Sequence, residues 1–328
     1  MIKNIVFSFV ILIVVIAVSC DNDSNDQTIA TPYDHEAQIP IDREALIVYL
    51  STHYYNTNDG FIWTIGNEEA GSLPLEDQIA LINDENLDSI EGIDPVDIET
   101  ISTYTMYYYI EEEGIDNGNV GYTSPSPVDS VFVRYSGMLL DSTVFDSRWD
   151  FPIWFQLPNN VEGWRRGLPK FKRGTFQTTG DEDFIFENPG LGYIFFPSGL
   201  GYRDRAQISI PANSNLVFRV ELDDVKLIDT DLDLVPTKFE LSIDAAGNIT
   251  TYNSDEDSLF DFQDVDDDND FTLTKDEVLD EFTTLDARGN IDFPYGADGN
   301  IAAKGSVTPE NPNGDTPNYK NPDKHLED

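Results

Sequence analysis

Apolar residues recur at helical spacing in one segment near the N-terminus, "IDREALIVYLSTHYY" (41–55). Leu46 and Leu50 fall on the same face of this segment, which predicts an amphipathic helix. Asp42 stands before the apolar run and is a suitable N-cap residue. A second short helix is expected after Pro74. We therefore interpret residues 41–100 as an N-terminal helical region.

From residue 101 the pattern changes to the short β-rich runs that strands show. The aromatic segment "ISTYTMYYYIEEEG" (101–114) predicts a first strand. Between 130 and 225 such runs alternate with tight turns, and a single helical signal lies at "EGWRRGL" (162–168). This arrangement predicts an α+β domain over 101–228, built on an antiparallel sheet.

Beyond residue 228 the apolar pattern gives way to aspartate-rich segments. We interpret 229–295 as irregular Asp-rich loops and 296–328, which is rich in Gly, Pro and Asn, as an irregular tail. The whole chain has 62 acidic and 19 basic residues, a net charge of −43. A nucleic-acid partner is excluded because phosphates require a cationic surface. The charge fits a well-solvated exported protein or one that collects divalent cations.

The first residues have the organisation of a secretory leader. Lys3 precedes an apolar run over 5–18, which is shorter than the ~20 residues of a spanning helix. A basic start, a short apolar run and a small residue before the cleavage point predict a signal peptide over 1–19. Residues 20–40 contain the polar stretch "DNDSNDQT" (21–28) and are interpreted as a flexible tether.

Cys20 is the single cysteine of the chain, so disulfides within it are excluded. "AVSC" (17–20) resembles the lipobox of bacterial lipoproteins, although Ala17 replaces the usual leucine. The resemblance implies that Cys20 carries a lipid anchor and that the protein is held at a membrane of the bacterial cell envelope, at the outer membrane or the cell surface. An ordinary signal peptide with an incidental cysteine is the alternative.

Six segments between 131 and 225 together resemble the FKBP-type peptidyl-prolyl cis-trans isomerase domain. In chain order they are "VFVRYSGML", "VFDSR", "PIWFQL", "VEGWRRGL", "FPSGLGY" and "IPANSNLVFRVEL". The resemblance implies an antiparallel sheet wrapped on a short helix, with a shallow apolar pocket between them. The catalytic pocket residues that it implies are Tyr135, Phe145, Asp146, Trp164, Tyr202 and Phe218, with Val161, Ile210 and Ile153 as substrate-binding residues.

The resemblance also implies a role for each part of the pocket. Trp164 is the floor for the proline ring, Phe145 and Phe218 are walls, and the hydroxyl of Tyr202 meets the peptide carbonyl. Asp146 directs its carboxylate at the carbonyl carbon or holds Tyr135. Rotation about an X-Pro bond has a barrier of ~18–20 kcal/mol from amide resonance. No cofactor is needed, because an apolar site that desolvates the carbonyl favours the twisted amide.

Two departures from the family pattern are visible. Ile153 stands where the family commonly has a second aromatic wall, beside Trp154. An extra segment, "TTGDEDFIFENPGLGY" (178–193), interrupts what is expected to be a central strand. Aromatic residues in strands also serve as ordinary core, so a packed core without a pocket remains an alternative for these residues.

Three acidic segments repeat one spacing of oxygen-bearing side chains, at 229–240, 253–264 and 266–277. Alternate carboxylates closed by an acid at position 12 suit Ca²⁺, which takes six to eight oxygen ligands. The predicted ligands are Asp229, Asp231, Asp233, Glu240, Asp255, Asp257, Asp266, Asp268, Asp270 and Glu277.

These segments resemble calcium-binding loops of the EF-hand or thrombospondin type 3 sort. The glycine expected at position 6 is replaced by Leu234, Ser258 and Phe271, which adopt the required turn at a cost of roughly 1 kcal/mol or more. A solvated acidic spacer is the alternative interpretation. The sequence as a whole predicts a lipid-anchored prolyl isomerase that acts on proline-containing segments of exported proteins. Its alternative is a non-catalytic surface lipoprotein that binds proline peptides and calcium.

Overall fold

The computed structural model describes residues 33–66, 74, 77–93, 102–114, 123–178, 184–284, 301–303 and 315–320. The predicted leader, Cys20 and most of the predicted tether lie outside the described residues. Among the residues that are described, no helix combines the length and apolarity needed to cross a membrane.

Helix α1 spans His35–Thr52 and begins ahead of the predicted N-cap. Its N-cap is Asp34, whose carboxylate accepts a hydrogen bond from the Ala37 N–H at 3.0 Å. The assignment of Asp42 as N-cap is therefore wrong. Asp42 is a buried residue within the helix, and its carboxylate accepts hydrogen bonds from the Ser198 N–H at 2.9 Å and the Ser198 hydroxyl at 2.6 Å. A partner so distant in sequence satisfies the carboxylate inside the helix.

The described residues of the predicted helical region that follow α1 are largely extended. Leu81–Asn83 forms a single 3-10 turn where a second helix was predicted. Leu81 is fully buried whereas Ile79 and Ile82 are exposed, so a single turn suffices to bury the apolar residue that reaches the core. The region therefore contains strands as well as α1.

Thirteen strands occur in the described residues. They are β1 His53–Asn56, β2 Phe61–Thr64, β3 Leu87–Ile93, β4 Thr103–Glu112, β5 Ser130–Leu139, β6 Val144–Ser147, β7 Ile153–Gln156, β8 Thr175–Thr178, β9 Phe184–Glu187, β10 Gly190–Phe196, β11 Leu216–Lys226, β12 Leu241–Ile243 and β13 Ile249–Thr251.

Seven of these strands form one antiparallel sheet in the order β3-β4-β10-β11-β5-β6, with β7 paired to β5. β5 and β11 are its longest pair, with Tyr135 opposite Val220 and Gly137 opposite Phe218. Inward positions of β5 alternate with outward ones, which is the period of a strand with one covered face. The predicted strand at 101–114 and the predicted antiparallel α+β architecture are confirmed.

The short helix α2, Glu162–Gly167, lies against strand β10. A Cβ atom on Gly163 would stand 2.3 Å from the ring of Phe196, and one on Gly167 would stand 2.7 Å from Ile194. Only glycine allows this close approach of helix and strand. The next residue after Gly163 is Trp164, so the packing of α2 determines where the tryptophan ring lies.

The extra segment (178–193), which was expected to interrupt a central strand, begins in a separate hairpin. β8 and β9 pair only with each other among the described residues, as a two-stranded hairpin outside the main sheet. The central strand is β10, which follows the hairpin and pairs with both β4 and β11. The insertion is therefore accommodated at the surface, and the sheet continues without interruption.

The aspartate-rich region is more ordered than its prediction as irregular loops. It contains the hairpin β12–β13 and helix α3, Thr274–Glu281. A separate apolar core gathers residues from this region and from the predicted irregular tail. Its members are Val235, Phe239, Val278, Phe282, Ile301 and Tyr319.

The tip of the β12–β13 hairpin contacts helix α2. The guanidinium of Arg166 donates hydrogen bonds to the Ala246 carbonyl and, at 3.1 Å, to the side-chain oxygen of Asn248. The Lys170 ammonium donates to the Ala245 carbonyl at 3.0 Å. Arg166 is buried, so these carbonyls replace the water that its charge has lost. The acidic region thus holds the helix that carries Trp164.

Candidate functional site

A cavity of about 230 Å³ opens beside α2 and the β5–β6 edge of the sheet. Pockets for drug-sized ligands begin at roughly 300 Å³, so this one is suited to a single ring or side chain. Its lining residues are Tyr135, Phe145, Asp146, Phe155, Asn159, Asn160, Val161, Trp164, Tyr202 and Phe218.

Trp164 is the centre of the aromatic cluster. The rings of Tyr135, Phe155 and Phe218 each stand edge-to-face against it, at centroid distances of 5.2, 5.4 and 5.3 Å. Phe145 in turn stands edge-to-face against Phe218 at 5.5 Å. Such pairs add ~0.5–1.5 kcal/mol each beyond their buried area. The floor and walls are therefore fixed by ring-to-ring contacts.

One short hydrogen bond crosses the mouth of the pocket. The Tyr135 hydroxyl donates to the Asp146 carboxylate at 2.6 Å. Burial, followed by this bond to a carboxylate, raises the pKa of Tyr135, so the phenol keeps its proton at neutral pH. Burial and then the charge of Asp146 also raise the pKa of Tyr202. Both phenols are therefore hydrogen-bond donors under working conditions.

A glycine in β5 makes room for the walls, which the sequence interpretation missed. A Cβ atom on Gly137 would lie 2.6 Å from the ring of Phe145 and 2.7 Å from that of Phe218. Gly137 pairs with Asp146 across the β5–β6 ladder and with Phe218 across the β5–β11 ladder. The sequence carried no signal for this role, because the pairing of Gly137 is visible only in the folded sheet.

The structure brings most, though not all, of the predicted pocket residues together. All six predicted catalytic residues line the cavity, and so does Val161. Ile210 is buried in the adjacent core and is not among the lining residues. Ile153 is 39% exposed in strand β7 and is likewise not among them. The side chain on this strand that reaches the cavity is Phe155, whose ring contacts both Tyr135 and Trp164.

Asn159 and Asn160 also line the cavity, and sequence reasoning did not single them out. Asn159 ends the turn Leu157–Asn159 that precedes α2, and Asn160 is the next residue. The Asn160 amide donates to the Gln156 carbonyl at 2.8 Å, which fixes one side of the entrance. Both residues place polar groups beside the aromatic floor, where a peptide backbone can be bound.

The three acidic loops share one backbone arrangement. In each, the N–H of position 2 donates to the side-chain oxygen of position 9, as from Thr230 to Thr237, Ser254 to Asp261 and Asp267 to Thr274. The N–H of position 7 likewise donates to the carboxylate of position 5 in all three. The predicted threefold repeat is thus a repeat of local structure.

Position 6 adopts the backbone that favours glycine in two of the three loops, whereas Ser258 in the loop 253–264 does not. Leu234 and Phe271 both adopt the left-handed backbone, with φ of +80° and +74°. Each donates its N–H to the position 1 carboxylate of its own loop, Asp229 or Asp266. Non-glycine residues adopt this conformation at a cost, which the bond to the carboxylate partly offsets.

The predicted carboxylates gather within each loop. Their oxygen atoms lie within 4.8 Å of one another in three groups that belong to single loops. These groups are Asp229–Asp231–Asp233, Asp255–Asp257–Asp264 and Asp266–Asp268–Asp270. Glu277 lies outside these groups, although the charges of Asp268, Asp270 and Asp266 act on its carboxyl.

A fourth group joins two loops and includes a residue that sequence reasoning missed. Asp267 meets Asp233 and Glu240, again with oxygens within 4.8 Å. Burial, followed by repulsion from neighbouring carboxylates, raises the pKa of Glu240 to about 11, that of Asp267 to about 9 and that of Asp233 to about 8. Asp267 occupies position 2, which carries no ligand in the loop pattern, so its spacing gave no signal.

Comparison with known proteins finds a family model that matches part of the pocket region. Residues 121–178 match the family model described as FKBP-type peptidyl-prolyl cis-trans isomerase. This segment includes most of the pocket, from Tyr135 through Asp146 to Trp164. This segment of the chain is therefore similar to the FKBP-type isomerase family.

Individual relatives have the same description. The chain is 32% identical over 131 residues to the FKBP-type isomerase FkpA of Escherichia coli K12, which is 39% of this chain and 40% of that protein. It is 35% identical over 131 residues to a probable FKBP-type isomerase of Haemophilus influenzae, covering 46% of that protein. The crystal structure of FkpA from Escherichia coli matches at 32% identity and a TM-score of 0.29, covering 37% of this chain and 48% of that one. The matches span less than half the length of each of these proteins.

Proposed function

We propose that this protein is a peptidyl-prolyl cis-trans isomerase whose active site is the aromatic pocket on α2. The observation that carries this proposal is the floor of the pocket. Trp164 is buried beneath three edge-to-face rings and lies in the segment that matches the FKBP-type family. A proline ring is an apolar group of the size that this cavity admits.

Catalysis in this pocket requires no nucleophile and no cofactor. The planar X-Pro amide is stabilised by resonance, which places charge on its oxygen and is favoured by water. Transfer of the proline ring onto Trp164 removes water from one side of the amide, and the twisted form loses less by this transfer than the planar form. The pocket therefore lowers the barrier by binding the twisted amide more tightly than the planar one.

The Tyr135–Asp146 pair is the polar element of this mechanism. Because Asp146 accepts the Tyr135 proton at 2.6 Å, the pair is held as a unit at the mouth. The remaining lone pairs of the carboxylate are exposed to the carbonyl carbon of a bound peptide. The Tyr202 hydroxyl, which keeps its proton, donates to the peptide carbonyl oxygen. The packing of α2 against strand β10 holds Trp164 beside these groups.

The substrates are proline-containing segments of exported proteins. This follows from the predicted leader and the predicted lipid anchor at Cys20, which place the pocket in the bacterial cell envelope, at the outer membrane or the cell surface. The net charge of −43 keeps such a surface protein solvated.

The acidic loops bind calcium and stabilise the C-terminal region. The support is structural repetition, because two loops bring their position 1, 3 and 5 carboxylates together and the third gathers Asp255, Asp257 and Asp264. Oxygen-only clusters of this kind suit hard divalent cations. Calcium takes no part in the isomerisation itself.

A protease-coupled isomerisation assay on residues 21–328 tests the proposal, with Trp164→Ala and Asp146→Ala beside the unaltered protein. Turnover well above the uncatalysed rate, lost in both variants, is the expected result. Circular dichroism establishes that each variant is folded. Background rates in folded, unaltered protein would contradict isomerase activity. Binding of a proline peptide without turnover would instead favour the non-catalytic module.

A further inference from the structure

Three carboxylates from two different loops meet at one buried place. Asp233 and Glu240 belong to the loop 229–240, and Asp267 belongs to the loop 266–277. Their exposed fractions are 1%, 0% and 1%. The β12–β13 hairpin separates these loops in the chain, so their meeting is a feature of the fold.

The carboxylates at this place are not satisfied by the protein. Both oxygens of Glu240, both oxygens of Asp267 and Oδ2 of Asp233 accept no hydrogen bond from the described residues. The nearby Lys320 ammonium forms an ion pair with Asp261 at 3.1 Å. Buried charges are ordinarily paired or coordinate a metal, because an isolated one has lost its hydration without compensation.

Asp267 is the member of this group that lies outside the loop pattern. The loop 266–277 gathers its own carboxylates from Asp266, Asp268 and Asp270, and Asp267 is not among them. The Asp267 N–H is bound to Thr274 of its own loop, while its carboxylate lies with Glu240. The backbone N–H of Asp267 is therefore bound within the loop 266–277, whereas its carboxylate lies with those of the loop 229–240.

We propose that Asp233, Glu240 and Asp267 hold one buried calcium ion that joins the first and third acidic loops. This deepens the proposed calcium binding by naming an inter-loop site and its ligands. Three carboxylates and no nitrogen or sulfur ligand define a hard-cation site. Calcium accepts the irregular, oxygen-rich coordination that two loops supply, and backbone carbonyls and water complete the six to eight ligands.

The site lies beside the C-terminal apolar core. Val235 and Phe239 lie between the two ligands of the first loop, and both belong to that core together with Val278 and Tyr319. Neutralising the three charges there removes the repulsion that opposes packing of the core. Occupancy of this site accordingly decides whether the two loops remain together.

Calcium titration by calorimetry of chelator-treated residues 21–328 at neutral pH is the central test. The unaltered protein is compared with Glu240→Gln, Asp267→Asn and the double variant. We expect each single variant to lose one binding event or to weaken it at least tenfold. We expect the double variant to lose no more than either single variant, because both residues hold the same ion. Asp276→Asn, an exposed charge change on α3, is the matched control and is expected to leave calcium binding unchanged.

Thermal unfolding, measured with calcium and with chelator, determines whether each variant is folded. Glu240→Gln removes a buried charge, so we expect it to melt no lower than the unaltered protein in chelator and to gain less from calcium. Calcium binding unaltered by Asp267→Asn, or additive losses in the double variant, would overturn the inter-loop site and leave calcium binding within each loop intact. Tighter binding of Mg²⁺ than of Ca²⁺ at this site would overturn the calcium assignment. Absence of any calcium binding would overturn both, while the isomerase assay decides the pocket separately.

Discussion

The pocket and the acidic region differ in how their carboxylates are satisfied. In the pocket, the hydroxyl of Tyr135 and the carboxylate of Asp146 satisfy each other at 2.6 Å amid aromatic rings. In the acidic region, the carboxylates of Glu240 and Asp267 are more deeply buried and accept no hydrogen bond from the described residues. The difference separates a site whose polar groups are paired within the chain from one for which we propose a cation. Four changes test this contrast.

The largest effect is expected from Trp164→Ala. The ring is 3% exposed and contacts three others, so its loss removes apolar burial and leaves a cavity. Truncation of a buried tryptophan costs about 3–5 kcal/mol, which denaturant unfolding in constant calcium can measure. Trp164→Phe, which keeps an aromatic floor, serves as the control. Equal losses in both variants would show that ring size, rather than apolar burial, determines the stability.

The next effect concerns the polar pair in the pocket. Tyr135→Phe removes a hydrogen bond to a charged group, which is worth about 1.5–3 kcal/mol, and we expect kcat/KM for a proline peptide to fall roughly tenfold. Asp146→Asn keeps an acceptor oxygen and is expected to have a smaller effect. The double variant distinguishes a paired role from two separate ones, since additive losses would contradict the unit proposed for Tyr135 and Asp146.

A third change uses a buried carboxylate that has a partner within the chain. Asp223 is 2% exposed and forms an ion pair with Arg134 at 3.1 Å, yet burial raises its pKa to about 6. A carboxyl whose folded pKa lies above its unfolded value of 3.8 contributes stability below about pH 4 and loses it as pH rises through about 6.

Asp223→Asn is therefore expected to gain stability relative to the unaltered protein between pH 4 and 6, on the order of 1–2 kcal/mol. Melting curves of both proteins across this range, in saturating calcium, measure the difference. A difference that is independent of pH would show that Arg134 cancels the effect of burial on Asp223.

The smallest effect is expected at Ile153, which the sequence suggested as a substrate-binding residue. Its side chain is 39% exposed and is not among the residues that line the cavity. Ile153→Ser is expected to change kcat/KM less than twofold and the free energy of unfolding by about 0.5 kcal/mol or less. A loss as large as that of Tyr135→Phe would mean that bound peptides extend along β7 beyond the pocket.

The sequence was sufficient for the antiparallel architecture of 101–228, because short β-rich runs alternate with tight turns there, but it placed β3 in a helical region. The order of the six segments predicted most of the pocket through the family resemblance. Residues fixed by distant partners were missed. Asp42 has the sequence signature of an N-cap, but Ser198 accommodates it inside α1. Gly137 shows its purpose only when Phe145 and Phe218 are packed against it.

In the acidic loops, too, the sequence predicted the local features and missed the contacts between distant residues. Their internal repeat could be read from spacing, including the left-handed turn at Leu234 and Phe271. The inter-loop group could not, because Asp267 stands outside the repeat and meets Glu240 only in the folded chain. Spacing predicts ligands within a loop, whereas tertiary structure is needed to find those between loops.

The contact between the β12–β13 hairpin and α2 sets the boundary of the smallest active fragment. A fragment that ends at residue 228 keeps every pocket side chain but loses the Ala246 carbonyl and the Asn248 amide that bind the buried Arg166. Such a fragment would leave a guanidinium two residues from Trp164 without these acceptors. For the proposed isomerase, we therefore expect a shortened chain of this kind to hold its active-site helix less firmly than the full chain does.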